Sequence, residues 1–203
     1  YVTDRLIDLM ANTPQVLHYL DMPLQHAHPE TLKRMRRPAN VDWVHRTLGK
    51  MRQAMPDLAL RTTFIVGYPG ETEDEFQTLL DFITEIKFDR VGVFPFSFEP
   101  GTTSEPLGDP IPKEMKEERV ARVMQLQETI SLTRNQALVG KRLPVLIEGI
   151  QKGVAVGRSY RDAPEIDGMV FAEGKAELGQ IVPVVISGAL VHDLTGSVIA
   201  DPE

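Results

Sequence analysis

Apolar residues recur along the first part of the chain with helical and strand periods in alternation. Between Tyr1 and Asn12, Leu6, Ile7, Leu9 and Met10 stand among polar residues and predict a short amphipathic helix. Val16 to Met22 reads as a strand closed by Pro23, whose fixed φ and missing N–H disfavour continuation. A second helix is expected over Pro29 to Met35, with His28 or Ala27 near its cap and Pro29 in the first turn. Val41, Val44, Leu48, Met51 and Met55 are spaced for a third, capped by Asn40 and stopped by Pro56. Leu58 to Val66 is β-branched and apolar. It ends in Gly67-Tyr68-Pro69-Gly70, and Thr72-Glu73-Asp74-Glu75 forms a capping box for a helix with Phe76, Leu79, Leu80 and Ile83 as its stripe. Arg90 to Phe94 supplies the next strand.

Strands and helices alternating at this spacing imply right-handed crossovers and a parallel sheet, so the first hundred residues belong to the α/β class. About three strands make an incomplete sheet, and with the abrupt start at Tyr1 this suggests a fragment whose earlier strands lie elsewhere. Residues 96–112 are loop-like, with Pro100-Gly101, Gly108 and three further prolines, a length that is often functional. One long helix follows over 113–138, with Val120, Val123, Met124, Gln127, Ile130 and Ala137 roughly on one face. After Gly140 the texture changes. Leu143–Glu148, Gly153–Arg158, Met169–Ala172, Ile181–Ser187 and Leu194–Ile199 are five short β-rich runs, the pattern of a small OB-like barrel. The expected domains are 1–138 and 139–203.

Composition narrows the function. Among 203 residues, 42% are hydrophobic and 25% charged, ordinary for a globular protein. No apolar run reaches the roughly 20 residues of a membrane span, and the start has no signal-peptide layout, so a cytoplasmic location is expected. A net charge of −7 argues against a large non-specific nucleic-acid footprint. With no cysteine, the chain has no disulfide, thiolate metal site or thiolate-held iron–sulfur cluster of its own.

Candidate chemistry gathers at strand ends. No His-Glu-x-x-His, Gly-x-Ser-x-Gly or Walker pattern occurs, and the pair His26 and His28 lacks a third metal ligand nearby. Gln25 follows one strand, Arg37 closes the next helix, and Ile65 to Gly67 end the neighbouring strand. An amide suits ribose hydroxyls, a guanidinium suits a carboxylate, and strand-end backbone can edge an adenine. These features describe a nucleoside-plus-carboxylate pocket, with plain surface polarity as the alternative. The basic run Lys33 to Arg37 likewise reads either as a solvated helix end or as an anion site.

The stretches 19–27 (YLDMPLQHA), 35–38 (MRRP), 63–72 (TFIVGYPGET) and 89–94 (DRVGVF) resemble the radical-SAM methylthiotransferases. Residues 157–160 (GRSY) and 162–168 (DAPEIDG) are similar to the branch that methylthiolates the β-carbon of an aspartate in small-subunit ribosomal protein twelve. The resemblance implies the carboxyl-terminal part of a partial TIM-like radical-SAM barrel followed by a TRAM domain. It implies S-adenosylmethionine contacts at Gln25 and Arg37 and an adenine edge at Ile65 and Gly67, although Thr63 stands where the loose motif has its first glycine. The family's two 4Fe-4S clusters need cysteines that this chain lacks, so the chain alone is expected to be inactive, with no catalytic or metal-binding residue of its own. Alternatives are a tRNA methylthiotransferase of the same family and a non-catalytic ribosome- or RNA-binding module. From Val139 onward six Lys or Arg stand against nine Asp or Glu, which favours a basic protein, the ribosomal one, as partner of the TRAM domain.

Overall fold

The computed structural model describes residues 2–199. Tyr1 and residues 200–203, which the sequence reading counted in the first and last domains, lie outside the described residues. The chain divides into two compact units, one comprising residues up to Val16 with Leu20–Gln127, the other Leu17–Tyr19 with the chain from Glu128 onward.

Along the first part of the chain, α1 (Asp4–Asn12) is capped by the Thr3 side chain and precedes the short strand β1 (Tyr19–Asp21). The helices α2 (Pro29–Arg34) and α3 (Val41–Ala54) follow, capped by the His28 and Asn40 side chains. Strand β2 (Ala59–Val66), helix α4 (Glu73–Ile86) and strand β3 (Arg90–Pro95) complete a three-stranded sheet in the order β1-β2-β3. Strands β2 and β3 are parallel, with Thr63 opposite Gly92 and Ile65 opposite Phe94. Burial along β2 alternates: Thr62, Phe64 and Val66 are fully covered, while Arg61, Thr63 and Ile65 are partly open. Phe64 meets Phe82 of α4 and Phe88 edge-on, at centroid separations of 6.4 and 5.9 Å, so the covered face is an aromatic core. The capping box at Thr72 is formed in both directions.

The second unit is a closed barrel. Its strands are β4 (Arg142–Gln151), β5 (Val154–Ser159), β6 (Val170–Glu173), β7 (Ile181–Ala189) and β8 (Leu194–Val198), in the order β4-β5-β6-β8-β7. All pairings are antiparallel except β6 with β8. Alternate residues Leu143, Val145 and Ile147 of β4 point into the core with Ala155, Val170, Ala172, Val184, Ile186 and Leu194. Register shifts at Ile147/Gly149 in β4 and Ile186/Gly188 in β7 bend the strands, as closure of so small a barrel requires. The all-β barrel expected from the five short runs is thus present.

The long helix α5 (Lys113–Gln136) departs from expectation. Its buried positions are Lys116, Arg119, Val123, Gln127, Ser131 and Asn135, a stripe at helical spacing that is almost entirely polar, whereas Ala137 just beyond it is exposed. The cause is local. Strand ends and loops present carbonyls that lack partners, and the helix supplies donors: Gln127 to the Phe88 carbonyl at 2.9 Å, and Asn135 to those of Leu190 and Val191 at 3.0 and 3.1 Å.

Candidate cofactor site

Backbone pairing places the first candidate. After β1 the chain continues along β2, with the Gln25 N–H bonded to the Thr63 carbonyl and the Ile65 N–H bonded to the Gln25 carbonyl, at 2.9 and 2.8 Å. Gln25 sits at φ 71°, outside the extended region, and the chain turns away there. Its half-buried side chain makes no hydrogen bond among the described residues. Gln25 and Ile65 are therefore adjacent at the carboxyl ends of two neighbouring strands, where α/β folds place ligands.

Arg37 approaches the same loop. Its backbone N–H bonds the Leu32 carbonyl at the end of α2, and its Nη2 donates to the Pro23 carbonyl at 3.2 Å. No carboxylate pairs with it among the described residues, and the side chain is exposed. Two other cations of the basic run are engaged, whereas the exposed Arg36 pairs with no carboxylate among the described residues. Lys33 pairs with Glu30, and Arg34 forms a two-pronged ion pair with Glu75, at 3.0 Å to Oε1 and 2.5 Å to Oε2. The run thus divides between two structural pairs, at Lys33 and Arg34, and two guanidiniums without a carboxylate among the described residues, of which Arg37 is the one held at the Pro23 loop.

Gly67 is held by its surroundings. It lies at φ 71°, and a Cβ placed on it would stand 2.4 Å from Cγ of Lys116. The Lys116 ammonium is itself buried, donating to the Phe96 carbonyl at 3.0 Å and pairing with Asp109. Gly67 is therefore required by the fold, and only its backbone is left to face a ligand.

Behind the turn lies a largely buried polar network of which the sequence predicts only the capping box. The Glu71 carboxylate accepts from the Tyr68 N–H at 3.0 Å and pairs with Arg119 at 3.1 Å. Arg119 also approaches Glu73 at 3.5 Å, and Glu73 pairs with Arg122 at 2.7 Å. His26 Nε2 stands 4.0 Å from Glu71 Oε1, both side chains fully buried. Glu75 accepts from Arg34, Thr31 and the Thr72 N–H. Burial acts to raise its pKa, but these donors hold the carboxyl below the ordinary range. The Arg122 hydrogen bond likewise lowers Glu73, and burial raises the Tyr68 hydroxyl. Apart from the Thr72–Glu75 capping box and the Tyr68–Glu71 turn bond, the partners in this network lie 41 to 49 residues apart and leave no local signal. Among the described residues, no group of three or more His, Asp or Glu side chains could hold a metal ion, and no helix is long and apolar enough to cross a membrane.

Known families match both parts of the chain. The radical SAM superfamily pattern matches residues 1–83 and the TRAM domain pattern matches residues 139–199. Parallel α/β sheet and closed barrel accordingly define a class: a radical-SAM segment joined to a TRAM domain. Within that class, the ribosomal protein uS12 methylthiotransferase RimO of Herpetosiphon aurantiacus is 50% identical over 203 residues, 98% of this chain and 43% of the relative. Those of Chloroflexus aurantiacus and Thermus thermophilus are also 50% identical, over 98% and 94% of this chain and 45% and 44% of their own lengths. The chain belongs to this RimO family of radical-SAM methylthiotransferases. It spans less than half the length of these curated relatives.

Proposed function

We propose that this chain supplies one wall of an S-adenosylmethionine site in an enzyme that transfers a methylthio group to the β-carbon of an aspartate of ribosomal protein uS12. The observation that carries the cofactor reading is the convergence, at the Pro23–Gln25 loop, of an amide and a guanidinium that have no side-chain partners among the described residues. In this reading the Gln25 amide meets the ribose hydroxyls and Arg37 meets the carboxylate of the cofactor. The backbone of Ile65 and Gly67 edges the adenine. The residues present do not fit the family's two 4Fe-4S clusters, because thiolate ligation needs cysteines and these 203 residues hold none. Radical generation therefore depends on cysteines outside these 203 residues, and the chain by itself is inactive in methylthiolation.

Residues 139–203 act as the TRAM domain and dock the ribosomal protein. An excess of nine acidic over six basic residues there supports a basic protein over a phosphate backbone as the steered partner. The setting is the cytoplasm, where ribosomes are modified.

Equilibrium dialysis with labelled S-adenosylmethionine tests the cofactor wall. The chain should bind saturably; Arg37→Ala should weaken binding about tenfold or more, as for a hydrogen bond to a charged group, and Gln25→Ala about fivefold, as for a neutral one. Wild-type binding that the two substitutions leave unchanged refutes the assignment. For the partner, the immobilised chain should retain uS12 and not tRNA; retention of tRNA alone would favour an RNA-modifying relative.

A further inference from the structure

His26 is the residue next to Gln25, yet it points away from the loop surface into the protein, 2% exposed. Its Nδ1 accepts a hydrogen bond from the His28 N–H at 2.9 Å. A ring nitrogen that accepts carries no proton, so in the neutral ring the proton sits on Nε2. That Nε2–H faces Glu71 Oε1, 4.0 Å away, and neither atom has a hydrogen-bond partner among the described residues. Glu71 in turn holds the Gly67–Glu71 turn closed through the Tyr68 N–H and anchors it to α5 through Arg119. Two neighbouring segments of the proposed cofactor wall are thus linked behind it by one imidazole and one carboxylate.

We infer that His26 is a positioning residue: as an Nε2–H donor directed at the buried Glu71–Arg119 ion pair, it sets the spacing between the Gln25 loop and the Gly67–Glu71 turn. Burial keeps it from touching any ligand in the pocket. The direction of the effect follows from charge. A donor aimed at a buried carboxylate acts in a low dielectric and offsets the cost of burying that charge, whereas a non-donor leaves Oε1 to Arg119 alone. The link to ligand binding rests on the proposed cofactor site; the link between loop and turn does not.

Two substitutions separate the ring's two nitrogens. His26→Asn keeps an acceptor near the Nδ1 position for the His28 N–H and removes the donor toward Glu71. His26→Gln can place an amide N–H near the Nε2 position. Amide hydrogen exchange on the whole chain is the primary readout, with the Tyr68 N–H as reporter of the turn and the Phe64 N–H within β2 as reference. His26→Asn should speed exchange at Tyr68 about tenfold while Phe64 is unchanged, and His26→Gln should stay within about threefold of wild type. A long-range nitrogen–proton correlation spectrum should show His26 as the Nε2–H tautomer. Unchanged Tyr68 exchange in His26→Asn, or an Nδ1–H tautomer, overturns the inference. Dialysis with S-adenosylmethionine on the same variants should show His26→Asn weakened about tenfold and His26→Gln near wild type. If the wild-type chain fails to bind while the exchange pattern holds, the cofactor reading falls and the positioning role stands.

Discussion

Replacing Gly67 by alanine puts the structural account of the turn at risk in a single step. Two costs combine. A non-glycine residue at φ 71° costs about 1–2 kcal/mol in backbone sterics. The new methyl group would also stand 2.4 Å from Lys116 Cγ, the middle of a side chain whose ammonium is fixed by the Phe96 carbonyl and Asp109. Lys116 is 5% exposed and has little room to move, so overpacking adds about 1–3 kcal/mol. A loss of about 3 kcal/mol, at a urea slope near 2 kcal/mol per molar, lowers the unfolding midpoint by about 1.5 M. Trp43 is the sole tryptophan and lies in α3, so its fluorescence follows the α/β unit alone. Lys116→Ala in the Gly67→Ala background should recover part of the loss, with a coupling of at least about 1 kcal/mol in the double-mutant cycle. A midpoint shift below about 0.3 M for Gly67→Ala, or strict additivity with Lys116→Ala, would refute the reasoning.

Other outcomes follow from the same geometry. The donors around Glu75 lower its pKa, so its contribution to stability is full above the unfolded carboxylate value near 4.3 and is lost as pH falls through the lower folded value. Glu75→Gln should therefore cost about 1.5–3 kcal/mol at pH 7 and flatten the acid limb of the pH–stability curve below about pH 4.3, as urea titrations at several pH values would show. In the barrel, a Cβ at Gly157 would stand 2.0 Å from the Leu146 carbonyl oxygen on the paired strand β4. Gly157→Ala should remove exchange protection from amides of β4 and β5, with a loss above about 3 kcal/mol, and retained protection would contradict the packing described.

Local features were legible in the sequence where neighbours in the chain do the work. The capping box at Thr72, the Asn40 cap and the five barrel strands each follow from residues within one element, and the structure places them within a few residues of expectation. The order of strands along the chain suggested neighbouring strand ends for Gln25 and Ile65 but not their register, in which Gln25 pairs with Phe64 and accepts from the Ile65 N–H. Of the polar stripe on α5, Gln127 was expected on the covered face, but Lys116 and Arg119 were not, because only the tertiary fold brings the Phe96 and Glu71 carbonyls against them. The Arg34–Glu75 and Glu71–Arg119 pairs escaped for the same reason, their partners being distant in sequence. Gly67 was read as a place for a ligand to approach, and the closest approach there is made by Lys116.

The central claim is that the carboxyl ends of β1 and β2 form a wall of an S-adenosylmethionine site. Titrating the nitrogen-labelled chain with S-adenosylhomocysteine, which has the same nucleoside and amino-acid carboxylate, and following the amide signals tests it most directly. Saturable shifts should centre on Gln25, Arg37, Ile65 and Gly67 and fade with distance from them. Saturable shifts centred on barrel strands β4 to β8 instead, or no shift at millimolar ligand, would contradict the assignment.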